Sequence, residues 1–348
     1  MRKFILHRYV YRIVLLSIVI GISFSCNRQP AQVKDSSANT GDSTGIELNQ
    51  LTNEIIKNPS QVKPYLSRAR FYTKKEMFNE ALQDVNKALT LNEKDAEVYV
   101  TLSDVYLYSG KTQRALDALK KAAEFSPEDA EIDVKTARLF LTMSDYKQTF
   151  NYLRAALKKD PENAEAFFIS GLANEEMGDT IRSIENYQKT VSLDPRHYDA
   201  LKQLGILFSI RKDKLAVDYL RNAAQIRPGQ PEPLYILGMH YQDNREPDKS
   251  LSVYNEILQI DSSFKLAWYN KGYVMLVYKQ EYLKAIECFS KALLLDQDYS
   301  DALYNRGYAY ELLGDKTNAR KDYEQVLRMH INNDKAILGL NRLDASGN

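Results

Sequence analysis

This sequence predicts an all-α array of helical pairs, and three observations carry the prediction. One pattern recurs every 34 residues from Val62 to Asn333, a span of 272 residues or eight periods, and a fixed period of that length marks a repeat array. Within each period, large or small apolar residues fall at the fourth, seventh, eighth and eleventh positions and again at the twentieth, twenty-fourth and twenty-seventh. At 3.6 residues per turn these make one stripe on each of two helices. Proline closes several periods, as Pro127, Pro161, Pro195 and Pro228, and ends the second helix because it lacks an N–H and restricts the residue before it.

The elements follow in order. In the second period the stripe residues are Tyr99, Leu102, Ser103 and Tyr106, then Ala115, Leu119 and Ala122; in the sixth they are Leu234, Leu237, Gly238 and Tyr241, then Ser250, Tyr254 and Ile257. The eighth reads Leu303, Arg306, Gly307, Tyr310, Ala319, Tyr323 and Val326. Small residues at the eighth and twentieth positions let two backbones approach, and large ones at the fourth, eleventh and twenty-fourth fill the space beside them. Turns such as Ser109-Gly110, Gly178-Asp179 and Gly314-Asp315 separate the helices. The fifth period is one residue short, with Ala216 taking the twentieth place after a compressed turn at Arg211 to Lys214. The seventh is one residue long, near Tyr278 to Glu281. The third, with Asp133, Thr136 and Thr149 at stripe positions, is expected to be the softest joint.

This pattern resembles the tetratricopeptide repeat. The resemblance implies a right-handed superhelix of about eight helix-turn-helix repeats over 62–333, with capping helices at 46–61 and 334–348. The C-terminal cap is expected to turn Ile337, Leu338, Leu340 and Leu343 inward and Lys335, Asn341 and Arg342 outward, since terminal repeats need a polar outer face.

Ahead of the repeats, Arg2, Lys3, Arg8 and Arg12 precede an uncharged run from Ile13 to Phe24. That run is too short for a bilayer, which takes about 20 residues, and fits a signal peptide over 1–25. Ser23-Phe24-Ser25-Cys26 resembles a bacterial lipoprotein box, which implies cleavage before Cys26 and acylation of its thiol; an ordinary signal peptide with a free Cys26 is the alternative. Residues 26–45 are then a lipidated N-terminus and a tether, polar and without apolar periodicity. Surface-exported lipoproteins of some bacteria carry an acidic cluster after the cysteine. Asn27-Arg28-Gln29-Pro30-Ala31 has none, so the resemblance implies a lipid-anchored protein facing the periplasm.

Composition excludes several activities. Of the 348 residues, 47 are Lys or Arg and 46 Asp or Glu, a net charge of +1, so no whole-chain basic field is available for nucleic acid. Two cysteines make no disulfide framework. His197, His240 and His330 are isolated and lack metal-ligand spacing. No phosphate loop or nucleophile elbow occurs, and Cys288 reads as a small semi-buried side chain. A non-enzymatic role with no cofactor and no metal is expected.

Binding residues are sought on the face opposite the stripe of each first helix, at positions five, nine and twelve, which line the concave groove in the resembled family. The later repeats place Tyr235 and Met239, Tyr269 and Tyr273, Tyr304 and Tyr308 there, with Phe168 in the fourth. Asn270 and Asn305 recur at position six, where family members use asparagine to bond a ligand's main chain. The first three repeats offer instead Leu66, Arg70, Val100, Asp104, Val134 and Arg138. The family's clamp for a C-terminal carboxylate is matched only by Asn305 and Lys335, which argues against that ligand. A column of acids at position two, Glu97, Glu131, Glu165, Asp199, Glu232 and Asp301, is accounted for by the helix dipole. Asp179-Thr180-Ile181 resembles an O-glycosylation site of exported bacterial proteins, but Gly178-Asp179 is also an ordinary turn, and the turn is the favoured reading. The function expected is a membrane-tethered scaffold or adaptor that binds a protein or peptide in the tyrosine-lined groove of the cell envelope. The alternative is a lipoprotein that stacks carbohydrate or cell wall on the same tyrosines.

Overall fold

The computed structural model describes residues 43–345; the leader expected over 1–25, Cys26 and most of the tether expected over 26–45 lie outside the described residues. Among the described residues every regular element is helical. A lone α1 (Ser43–Lys57) is followed by the pairs α2 (Val62–Lys74) and α3 (Phe78–Leu91), α4 (Ala96–Tyr108) and α5 (Thr112–Phe125), and α6 (Ala130–Thr142) and α7 (Tyr146–Lys159). Then come α8 (Ala164–Glu176) and α9 (Thr180–Leu193), α10 (Tyr198–Ile210) and α11 (Leu215–Ile226), and α12 (Glu232–Asp243) and α13 (Pro247–Ile260). The last pairs are α14 (Lys265–Val274) with α15 (Tyr282–Leu295) and α16 (Ser300–Leu312) with α17 (Lys316–Met329), followed by α18 (Asp334–Ala345). The described residues divide into two compact units, the first ending at Ala173 and the second beginning at Asn174.

Core clusters of the first unit centre on Leu66 and Val85, on Leu119 and Leu139, and on Leu153 and Ile169. Its close contacts are made by alanines, Ala69, Ala81 and Ala88 being fully buried. The core of the second unit runs from Leu201 and Ala223 to a large cluster around Phe289 and Tyr323. Here glycine takes several of the close-contact places, beside Leu220 at Gly205 and beside an aromatic ring at Gly238 and Gly307. A Cβ on Gly238 would come within 2.5 Å of Tyr254, and one on Gly307 within 3.0 Å of Tyr323.

Every one of the eight turns between paired helices contains a left-handed residue. Three are Gly110, Gly178 and Gly314, at φ of 74°, 82° and 81°; the others are Glu76, Ser144, Lys212, Arg245 and Gln280, at φ between 56° and 60°. Aspartates then cap several second helices: Asp145, Asp179 and Asp315 accept from the backbone N–H groups of Gln148, Arg182 and Asn318.

The irregular repeats are accommodated locally. In the fifth, the turn closes through Lys212, and Ala216 is fully buried in the second helix. In the seventh, the added residue is taken up by a π-turn over Met275–Lys279 that ends α14. The turn is tied back to the sixth repeat, the Tyr278 hydroxyl donating to the Gln242 carbonyl at 3.2 Å and Lys279 pairing with Asp248 at 2.5 Å. In the third, the polar stripe residues have partners: Thr136 and Thr149 donate to the carbonyls of Ile132 and Asp145, and Asp133 pairs with Lys159 at 2.5 Å.

The last helix docks differently from the expectation. Ala336, Gly339 and Leu343 are buried, while Ile337 and Leu338 are 38% and 57% exposed. The reason is steric. A Cβ at position 339 would lie 2.5 Å from the Tyr323 ring, so the small residues make the contact and the large aliphatic ones turn out. Leu343 is buried and Arg342 exposed, as expected, and Arg342 also reaches back to Glu311.

Candidate functional site

The groove-facing residues of the last three repeats form a ladder across successive first helices. The Asn270 side-chain amide on α14 donates to the Tyr235 hydroxyl on α12 at 3.1 Å, and Asn305 on α16 donates to Tyr269 on α14 at 3.0 Å. Position six of one repeat thus holds position five of the repeat before it. Each of these tyrosines also leans on an aromatic residue from the loop that follows. Tyr235 meets Phe264 edge-on at 5.6 Å, and Tyr269 meets Tyr299 at 4.9 Å.

Placement differs among the candidate residues. Tyr235, Tyr269, Tyr273, Tyr304, Asn305 and Tyr308 are half-buried, so each keeps some surface for a ligand. Asn270 is buried and acts on the groove through Tyr235. Phe168 lies in the first unit and is only 5% exposed. The tyrosines at position five are not clear of the core: Tyr269 packs on Phe289 at 5.8 Å and Tyr304 on Tyr323 at 5.6 Å. Position five lies at the border of the stripe, and a ring is long enough to reach over it.

The C-terminal end of the ladder is closed by cations from α18. The Tyr304 and Tyr308 rings are parallel within 4° at 6.4 Å. Lys335 lies over Tyr304 and Arg342 over Tyr308, at 5.6 Å each. Arg342 also donates to both oxygens of Glu311, at 2.7 and 2.8 Å, and the Tyr323 hydroxyl joins them at 2.6 Å. Burial pushes the Glu311 carboxyl up, but Arg342 and Tyr323 outweigh it and hold it below the usual range. Its counterpart in the fourth repeat, Glu175, accepts from Tyr187 at 2.7 Å, and burial raises it. Position twelve therefore serves the hydroxyl of the core tyrosine rather than an open groove, and Gln242 does the same for Tyr254.

The first unit offers a different surface. Arg70 pairs with Glu97 at 2.8 Å, Lys135 with Asp104 at 3.1 Å, and Arg138 with Glu165. In the second unit Lys202 pairs with Glu232 at 3.2 Å. Several acids of the position-two column are thus cross-links between neighbouring first helices, a role the sequence reading missed. The signal was present as a basic residue at position nine one repeat earlier, as in Arg70 and Arg138. Elsewhere, Cys288 is buried and its thiol is pushed up to about 11. Among the described residues no group of three or more His, Cys, Asp or Glu could hold a metal ion.

Comparison with known proteins decides the family. Tetratricopeptide repeat family models match residues 62–95, 96–129, 134–180 and 300–333, and a TPR repeat model matches 275–314. The chain is a tetratricopeptide repeat protein. Such proteins are in general non-catalytic and bind peptide or protein partners. Anaphase-promoting complex subunit 3 of Schizosaccharomyces pombe is 26% identical over 106 residues, covering 30% of this chain but only 16% of that protein. Among solved structures, the APC/C hetero-tetramer Cut9-Hcn1 aligns at 17% identity and a TM-score of 0.48, over 87% of this chain and 59% of that one. Pseudomonas aeruginosa pilF aligns at 16% identity and 0.49, over 61% and 97%. YrrB, described as a TPR protein with an unusual peptide-binding site, aligns at 22% and 0.35, over 52% and 94%.

Proposed function

We propose that this tetratricopeptide repeat protein is a non-catalytic scaffold of the bacterial cell envelope, tethered to a membrane through lipid on Cys26 and facing the periplasm. Its protein or peptide partner lies along the first helices of the sixth to eighth repeats. The observation that carries this reading is the ladder itself: Asn270 and Asn305 fix the hydroxyls of Tyr235 and Tyr269, so half-buried aromatic surface is pre-organised in register from repeat to repeat. Rigid aromatic side chains with a polar tip are the residues that dominate binding interfaces. The tether rests on the sequence around Cys26. No helix among the described residues is long and apolar enough to cross a membrane.

The test replaces the position-nine pair, Tyr273→Ala with Tyr308→Ala, in the lipidated protein and measures crosslinked capture of partner proteins. Capture falls at least tenfold, on the scale of about 2 kcal/mol for a truncated aromatic contact, with helical content retained. Undiminished capture overturns the groove, and binding confined to a glycan array moves the ligand class to carbohydrate. Cys26→Ser releases the protein from membranes; sedimentation with membrane after a salt wash overturns the tether.

A further inference from the structure

Three core tyrosines of the second unit are held by position twelve of their own repeat, and the residues that hold them differ in charge. Gln242 accepts from Tyr254 at 3.2 Å, Glu311 from Tyr323 at 2.6 Å and Glu175 from Tyr187 at 2.7 Å. Gln242 shows that a neutral amide oxygen is enough for the hydroxyl. A carboxylate in that place therefore carries a charge that the tyrosine does not need, and a charge drawn out of water is costly unless it is paired.

Glu311 shows how the charge is met. Arg342, at position nine of the helix that follows, spans the carboxylate from Nε to Oε1 and from Nη2 to Oε2, at 2.7 and 2.8 Å, while the Tyr323 hydroxyl also bonds Oε2. Glu175 has the equivalent tyrosine on the same oxygen, Oε2. Position nine of the following helix is there Ile206, which is 1% exposed and whose side chain has nothing to donate. The influences on the Glu175 carboxyl are burial and Glu176, which raise it, and Tyr187, which lowers it; no cation is among them. The side chain is half-buried, so part of it faces solvent.

We infer that Glu175 is the docking point for an arginine side chain of the partner, whose guanidinium takes the place that Arg342 holds on Glu311; this rests on the reading of the chain as a binder of proteins or peptides. The planar fork of arginine delivers two parallel N–H donors to the two oxygens of one carboxylate, which is the contact made at Glu311. Lysine brings a point charge without the fork. Glu176, the next residue and exposed, adds to the negative field that a cation meets. The fourth repeat thus presents from this chain two of the three groups that the eighth repeat assembles, and the partner supplies the third.

The experiment titrates the full chain, isotope-labelled at its glutamate carboxyl carbons, by NMR with N-acetylarginine amide and with the matching citrulline and lysine amides. Glu175→Gln identifies the resonance. The Glu175 signal moves saturably with the arginine probe, with a midpoint on the order of tens of millimolar, the scale of one charge-assisted pair. The citrulline probe, equal in shape but uncharged, and the lysine probe each move it about fivefold less. Glu311, already paired, does not respond in the wild type and does respond in Arg342→Ala. No saturable movement of Glu175, an equal response to the citrulline or lysine probe, or a Glu311 that stays silent in Arg342→Ala overturns the inference. If Glu175 responds while Tyr273→Ala with Tyr308→Ala leaves partner capture undiminished, the tyrosine groove falls and this site stands. If capture falls in that variant and Glu175 does not respond, this site alone falls.

Discussion

Arg342 grips the Glu311 carboxylate from Nε and Nη2, at 2.7 and 2.8 Å, and so ties the last helix to the repeat before it. The fourth repeat has a carboxylate in the same position, Glu175, bonded to Tyr187 and raised by burial, whereas Glu311 is lowered. One substitution at equivalent sites is therefore expected to act in opposite directions.

Glu175→Gln stabilises the protein at neutral pH by about 1 kcal/mol, since it removes a buried charge and keeps a hydrogen-bond acceptor for Tyr187. The raised Glu175 carboxyl favours folding below its unfolded value near 4.3 and loses that contribution as pH rises through the folded value. Glu311→Gln destabilises by about 1 to 3 kcal/mol, because Arg342 and Tyr323 lose a charged partner. The contribution of Glu311 is present above pH 4.3 and disappears as pH falls through its depressed folded value. Urea midpoints of both variants at pH 7 and pH 4 check the signs.

The phase of the array was legible in the sequence and its cross-links were not. Ala115, Gly238 and Gly307 could be assigned to close contacts because size alone decides which residues fit there. Ile337 and Leu338 were misassigned because hydrophobicity says that a side chain prefers burial, and not which face of a helix meets a ring; Gly339 beside Tyr323 settles that. The tyrosine positions were legible as a column. Their bonds to Asn270 and Asn305 were not, because they join different residue types one repeat apart, and such a pair carries no periodic signal of its own.

Gly238→Ala tests the close contacts. The added Cβ meets the Tyr254 ring at 2.5 Å, so the ring or a helix must shift, at a cost of about 1 to 3 kcal/mol. Thermal unfolding against the wild type measures it, and Gly110→Ala serves as the control, with open space around the Cβ but a φ of 74°.

Glu76→Gly works in the other direction. Glu76 is exposed and left-handed at φ 60°, a conformation that costs a residue with a Cβ about 1 to 2 kcal/mol. Part of that gain is offset by the greater freedom of glycine in the unfolded chain. A net stabilisation of about 0.5 kcal/mol is expected in chemical denaturation.

His240 makes stability depend on pH. It is buried, and desolvation lowers its pKa against the opposing pull of Glu246, Asp243 and Asp213. The unfolded histidine titrates near 6.5, so its neutral form is the one the fold accepts. Stability is complete above that value and declines as pH falls toward the folded pKa, by at most about 1.4 kcal/mol per unit. His240→Gln, which keeps a polar group beside Asn244, flattens the difference between denaturation midpoints at pH 7.5 and pH 5.5.

The π-turn over Met275–Lys279 bears on how this chain can change its length. A residue added within a regular helix rotates everything after it by about 100° and would swing the following tyrosines out of line. Here the rotation is cancelled before the next helix starts: Gln280 takes the left-handed place, and Ala285 and Phe289 return to the core. Tyr304 and Tyr308 therefore keep the bearing of Tyr269 and Tyr273 although the count between them is off by one. Inheritance can add or drop a residue at such a joint without altering what a ligand meets, so the partner-facing sequence and the spacing of repeats are free to evolve separately.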